Sequence, residues 1–168
     1  MFLLSIGVPT YNRAEEITTL LDSIPSSKNI QVVIVDDGST DNTKAVIAQY
    51  SDQFSIKYLY QSNQGRATAL REAILSADGK YCMLMDSDDA FIPEGIDEIL
   101  KHIKELEKTE SYKSINSLIF GVKLVKASNV TLNIPPAVIS NFVKIRADLK
   151  IKHDLKEVVR TDILQESI

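Results

Sequence analysis

Over the first 110 residues, apolar runs of strand length alternate with stretches whose apolar positions recur at helical spacing, the rhythm of βαβ units. Phe2 to Val8 reads as a buried strand, and Pro9-Thr10-Tyr11-Asn12 is expected to break it, because proline lacks an amide donor and restricts its predecessor. A helix capped by Asn12 follows, with Ile17, Leu20, Leu21 and Ile24 on one face. Ile30 to Val35 is a second strand, ending in Asp36-Asp37-Gly38-Ser39. Ser39 or Thr40 can cap the next helix, whose Val46, Ile47 and Tyr50 share a face. Ser55 to Tyr60 is a third strand, and Asn63-Gln64-Gly65 turns the chain into a helix carrying Ala67, Leu70, Ile74 and Ala77 along one side. Tyr81 to Met85 is a fourth strand, closed by Asp86-Ser87-Asp88-Asp89. Pro93 suits the first turn of a helix with Ile96, Ile99, Leu100, Ile103 and Leu106 inward.

Beyond residue 110 the rhythm changes. Leu118 to Val125 reads as a strand, Pro135-Pro136 as a break, Val138 to Ile151 as mixed, Lys156 to Arg160 as a short strand, and Asp162 to Glu166 as a helix start without an end. No repeat, low-complexity tract or linker interrupts the pattern. It predicts one α/β domain over 1–168, shortened at its C-terminus.

The composition narrows the chemistry. With 44% hydrophobic residues in 168, the chain can bury a core. Its 19 basic against 23 acidic residues give a net charge of -4, a poor match for phosphate backbones, so nucleic acid is excluded as the main partner. The one cysteine, Cys82, cannot form an intramolecular disulfide and fits a reducing, cytoplasmic setting. No segment reaches the roughly 18 apolar residues that span a bilayer, which leaves membrane association only at the surface.

In an open parallel sheet, ligands bind outside the strand C-termini. All three polar clusters, Pro9 to Asn12, Asp36 to Ser39 and Asp86 to Asp89, fall at such ends. Gathered on one edge they make an acidic site that calls for a cation or a donor-rich ligand. Oxygen donors without a Cys/His cluster suit Mg²⁺ or Mn²⁺. Each cluster also has a bland reading. Asp36 to Ser39 is a good turn with a cap, Asp86 to Asp89 a solvated turn, and Tyr11 an aromatic at the core's edge. Arg66 and Arg71 read as surface charges, Cys82 as a small buried hydrophobe, and His102 and His153 as exposed.

Order and spacing lift these clusters above the bland reading. Val8-Pro9-Thr10-Tyr11-Asn12-Arg13, Val33 to Asp41, Asn63-Gln64-Gly65 with Arg71, and Met85-Asp86-Ser87-Asp88-Asp89 resemble the ordered motifs of glycosyltransferase family 2 over residues 2 to about 105. The resemblance implies a GT-A fold, a Rossmann-like, mostly parallel sheet flanked by helices. Residues 1–110 would form its nucleotide-binding half and 111–168 the start of its acceptor half. It further implies inverting transfer from a nucleotide-diphospho-sugar, such as a UDP-sugar, to a carbohydrate or lipid-linked acceptor in polysaccharide or glycoconjugate synthesis, with Mn²⁺ or Mg²⁺ at the DXD motif. Carried over by position, Pro9, Thr10 and Tyr11 line the nucleobase slot and Asp37 accepts a hydrogen bond from the base. Asp86 faces the ribose and the metal, Asp88 is the principal metal ligand, and Arg66 reaches toward the diphosphate.

The family's catalytic base lies later in its domain. Asp148, Asp154, Glu157, Asp162 and Glu166 are acids without a family motif around them, so no base is assigned. The alternative is therefore a donor-binding fragment without transfer activity. A receiver domain wants its paired acids after the first strand, where this chain has Pro9-Thr10-Tyr11, and a nucleotidyltransferase wants a Gly-rich phosphate loop there; both are disfavoured.

Overall fold

The computed structural model describes residues 1–92 and 94–109 in full and, beyond them, the backbone of the strands 117–121, 124–125, 131–132, 137–139 and 155–160. The elements run β1 (Leu4–Thr10), α1 (Ala14–Asp22), β2 (Ile30–Asp36), α2 (Thr43–Ala48), β3 (Ser55–Tyr60), α3 (Arg66–Leu75), β4 (Tyr81–Leu84) and α4 (Gly95–Leu106). The later strands are β5 (Ser117–Gly121), β6 (Leu124–Val125), β7 (Thr131–Leu132), β8 (Ala137–Ile139) and β9 (Leu155–Arg160). Among the described residues one sheet has the order β3-β2-β1-β4-β9-β5-β8, and β6 and β7 form a separate pair. The pairs β3-β2, β2-β1 and β1-β4 are parallel, while β9 runs antiparallel to both β4 and β5.

Every residue of β1 and β2 is buried, as expected for central strands covered on both faces. On one face Leu4, Ile6, Val8, Val32 and Ile34 meet Ile17, Leu20 and Leu21 of α1, Ile47 of α2, and Ile96, Ile99, Leu100 and Ile103 of α4. Burial of each such side chain contributes about 1.5–3 kcal/mol. On the other face Val33 and Val35 lie against Ala69 and Ala73 of α3. There the helix comes close to the sheet: a Cβ on Gly7 would sit 3.1 Å from Ala73 Cβ and 2.9 Å from Leu84 Cδ2.

The sequence reading needs correction at several points. Pro9 does not break β1 but pairs with Val35 inside it. The Gly7 carbonyl accepts from Met85 on the β4 side, and the Thr10 carbonyl accepts from Asp37 on the β2 side. An amide at Pro9, two residues from Gly7, would therefore face β4, whose last rung is Gly7↔Leu84. The next rung of that parallel ladder would take an amide at residue 9 to the Met85 carbonyl; proline has none, so the β1–β4 ladder ends at Gly7↔Leu84 while the β1–β2 ladder runs on. Of the stripe expected along α3, Ile74 and the following Ala77 are buried and Leu70 is half-buried, but Ala67 is exposed; Ala69 and Ala73, outside that stripe, complete the inward face, where close approach to Gly7 favours small side chains. The single strand expected over Leu118 to Val125 is two, β5 and β6, in different sheets. The start of α4 is Gly95, after Glu94 in a left-handed conformation. Pro93, the Pro135-Pro136 break and the expected helix at Asp162 to Glu166 lie outside the described residues.

A polar network crosses the α3 face near the start of the strands. Ser5 donates to Gln31 Oε1 at 2.7 Å, Gln31 Nε2 donates to Asp78 Oδ2 at 2.7 Å, and the Gly79 amide donates to Ser5 Oγ at 2.8 Å. A Cβ on Gly79 would lie 2.6 Å from the Ser5 nitrogen, against backbone that cannot yield. Gly79→Ala is expected to lower unfolding stability by about 1–3 kcal/mol, read by urea denaturation followed by circular dichroism.

Candidate functional site

The sheet order sets the ends of β3, β2, β1 and β4 side by side, and the loops that leave them are tied to one another by side-chain contacts. Asp36, the last residue of β2, is buried; its Oδ1 accepts from the Ser39 amide at 2.8 Å and its Oδ2 from the Tyr58 hydroxyl of β3 at 2.7 Å. Burial, and then this bond to a carboxylate, pushes the Tyr58 hydroxyl well above its ordinary pKa, so it remains a donor.

Asp37 is also buried, at 4% exposure, and faces the loop after β3. Its Oδ1 accepts from Gln61 Nε2 at 2.6 Å and from the Gln64 amide at 2.8 Å, and its Oδ2 accepts from the Gly65 amide at 2.8 Å. Burial disfavours the charge, yet the donors of Gln64, Gln61 and Gly65 together outweigh it, and the carboxyl titrates below its ordinary value. Asp37 is therefore an ionised, acceptor-only group near neutral pH. Gly38, at φ 89°, allows this turn to approach the backbone of Asn63, whose nitrogen would lie 2.8 Å from a Cβ there.

Asn12 does not cap α1. It takes a left-handed conformation, φ 51°, and bridges to the loop after β2. Its amide donates to Ser39 Oγ at 2.8 Å, while its Oδ1 accepts from the Thr40 amide at 2.8 Å and the Asp41 amide at 3.3 Å. The first amides of α1 are satisfied from that same loop: Arg13 donates to Thr43 Oγ1 and Ala14 to Asp41 Oδ2, each at 3.2 Å. Neither Ser39 nor Thr40 caps α2. Asp41 Oδ1 takes the Thr43 amide at 3.0 Å and the Thr43 hydroxyl at 2.5 Å, which lowers the Asp41 pKa against its burial.

The acids after β4 are held differently. Asp86 is paired with Arg66 Nη2, the first residue of α3, and Asp88 Oδ2 lies 3.6 Å from Arg13 Nη1, which also binds Glu16 at 2.8 Å. These side chains are between 36% and 65% exposed. Exposed ion pairs of this kind are weak and readily exchanged.

Of the residues singled out in the sequence, Thr10 is buried at the end of β1, and its Oγ1 has no hydrogen-bond partner among the described residues. Tyr11 is 47% exposed beside it. Asp86 and Asp88 lie in the loop that follows β4, the strand next to β1. Cys82 is buried with its thiol pushed up to about 12, an inert group, and Arg71 pairs with its neighbour Glu72. His102 is exposed on α4, whereas His153 lies outside the described residues. Sequence reasoning gave no role to Arg13, Gln61 or Asp41. Arg13 and Asp41 stood inside the motifs; nothing in the sequence marks Gln61, whose part depends on where β3 ends.

Asp86 and Asp88 offer two carboxylates with no imidazole or thiolate competing. That set suits a hard cation held by few protein ligands and completed by ligand oxygens. Among the described residues no three acidic, imidazole or thiol side chains form a closed metal cage.

The chain matches the family described as glycosyl transferase family 2 over residues 5–117. It is 34% identical over 143 residues to an uncharacterized glycosyltransferase of Rickettsia conorii, across 81% of this chain and 23% of that protein. A Rickettsia felis glycosyltransferase, also uncharacterized, is 31% identical over 140 residues, across 80% of this chain and 23% of that protein. Among solved structures, S. aureus TarS aligns at TM-score 0.63 and 27% identity over 78% of this chain and 23% of TarS. Its fragment 1–349 aligns at TM-score 0.72 and 24% identity over 99% of this chain and 49% of the fragment. The fold is thus the GT-A arrangement that the motifs implied. The chain spans about a quarter of the length of these curated relatives.

Because the Asp37 pKa is depressed below its ordinary 3.8, its contribution to stability is complete above that pH and is lost as pH falls through the folded value. Asp37→Asn turns an amide NH₂ toward a backbone donor and is expected to cost about 1–3 kcal/mol at neutral pH. Thermal melts should show the gap between the two proteins narrowing below about pH 4.

Proposed function

The chain belongs to glycosyl transferase family 2, and from that membership we propose that the C-terminal edge of its sheet binds the nucleoside diphosphate of a sugar donor, a UDP-sugar in the first instance, for inverting transfer to an acceptor hydroxyl. One observation carries the reading. The four motif loops interlock at that edge, through Asn12 to the loop after β2, Asp37 to Gln61, Gln64 and Gly65, Arg66 to Asp86, and Arg13 to Asp88.

In this reading Pro9, Thr10 and Tyr11 border the base. Asp37 Oδ1 already takes two donors and Oδ2 one, so one acceptor position remains for a ring N–H such as uracil offers. Asp86 and Asp88 would hold Mn²⁺ or Mg²⁺. When bound, that cation supplies Lewis-acid stabilisation of the charge that develops on the departing diphosphate. TarS 1–349 was solved with UDP and with UDP-GlcNAc, and a mannosyltransferase of Pyrobaculum calidifontis with GDP-Man and Mn²⁺, which guides the choice of probes. Residues 1–110 form the donor half and 111–168 the start of the acceptor half. The acceptor is a carbohydrate or a lipid-linked sugar, in polysaccharide or glycoconjugate synthesis on the cytoplasmic side. Among the described residues no helix is long and apolar enough to cross a membrane.

Calorimetric titration with UDP should show binding in Mn²⁺ that excess chelator abolishes; equal affinity in both conditions overturns the metal-dependent reading. Asp88→Ala is expected to weaken UDP binding in Mn²⁺ by at least about tenfold. Asp89→Ala should change it little, and the reverse order would displace the metal ligand by one residue.

A further inference from the structure

The two acids assigned to the cation are each met by a guanidinium, and the two guanidinium groups come from different loops: Arg66 opens α3 and Arg13 precedes α1. We propose that Arg66 and Arg13 are exchangeable counter-ions, which neutralise Asp86 and Asp88 in the free protein and move to the donor's diphosphate when those carboxylates turn to a divalent cation. This rests on the donor-site reading above.

The charges argue for an exchange rather than a static pair. Asp86 and Asp88 carry two negative charges against the two positive charges of Arg66 and Arg13, with Glu16 sharing Arg13 at 2.8 Å. A divalent cation and the doubly charged diphosphate of a nucleotide sugar sum to zero, so binding both leaves the two carboxylates balanced only while both arginines stay at the site. A cation arriving while Arg66 still holds Asp86 would meet like charge at contact distance and compete for the same oxygens. An arginine released from a carboxylate presents the same planar fork of N–H donors to phosphate oxygens. Exposure fits such a move, since Arg66 is 65% and Arg13 44% exposed. The buried acids of the same site, Asp36 and Asp37, are held instead by amide, hydroxyl and side-chain amide donors that do not compete with a cation for charge.

The exchange gives Arg66 opposite effects on two constants, which a purely structural role would not do. Mn²⁺ uptake without nucleotide can be followed by the paramagnetic resonance of free Mn²⁺, and UDP binding in saturating Mn²⁺ by calorimetry. Both would be measured on the wild type, on Arg66→Gln, and on Lys44→Gln, a change of equal charge on the exposed side of α2. Arg66→Gln is expected to bind Mn²⁺ alone about three- to tenfold more tightly, and UDP about three- to tenfold more weakly, with Lys44→Gln unchanged in both. Arg13→Gln should show the same crossing through Asp88. Any other pattern, such as both constants weakening together or neither moving, overturns the exchange and leaves the donor site standing. Failure of every protein to take up Mn²⁺, with UDP or without, overturns the donor site and the exchange together.

Discussion

Strand β1 is hydrogen-bonded on both sides, to β2 from Leu4 to Thr10 and to β4 from Leu4 to Gly7, and this asymmetry of three residues shapes the rest. Where β4 stops, β1 continues, so the edge of the sheet steps down beside Pro9. The chain leaving β4 turns there instead of pairing as strand, and its acids meet Arg66 and Arg13. The proline has its missing donor on the β4 side, so it ends that ladder without breaking the one to β2. Gly7, at the last shared rung, lets α3 lie close, and α3 begins with the arginine that meets Asp86.

The site built on this step has two mechanical parts. Around Asp36, Asp37, Asn12 and Asp41 the bonds are largely to backbone amides and tie together loops more than twenty residues apart in sequence. Such bonds fix loop geometry, because a buried carboxylate stripped of its donors bears the full cost of desolvation. Around Asp86 and Asp88 the partners are long, exposed arginine side chains whose pairing is easily lost. One part of the site is thus preset and the other adjustable, a division of labour that the proposed donor site would use.

Much of this was legible in the sequence. Strand and helix periodicity gave the first eight elements in order, since the βαβ rhythm and the burial of β1 and β2 leave long apolar signals. The acids at the strand ends were legible because polar residues interrupt those signals where the loops begin. What was missed depends on neighbours distant in sequence. Asn12 looks like a cap locally, yet it spans 28 residues to Thr40. The face of α3 is set by Gly7, some sixty residues away, rather than by the helix's own larger side chains. The pairing of Arg66 with Asp86 and of Arg13 with Asp88 needs the strand order, which periodicity does not contain.

The network of Ser5, Gln31 and Asp78 bears on how the sheet finds its alignment. β1 and β2 are buried throughout, so their apolar side chains would accept several offsets at similar cost, and hydrophobicity alone distinguishes these poorly. Ser5 and Gln31 are direct partners across the two strands. Sliding β2 by two residues would set Gln31 against Leu3 and Ser5 against Val33, stranding an amide and a hydroxyl away from water. One polar rung therefore acts as an indexing pin for the parallel pair, and it holds the opposite ends of the same strands, where the motif loops emerge, in phase.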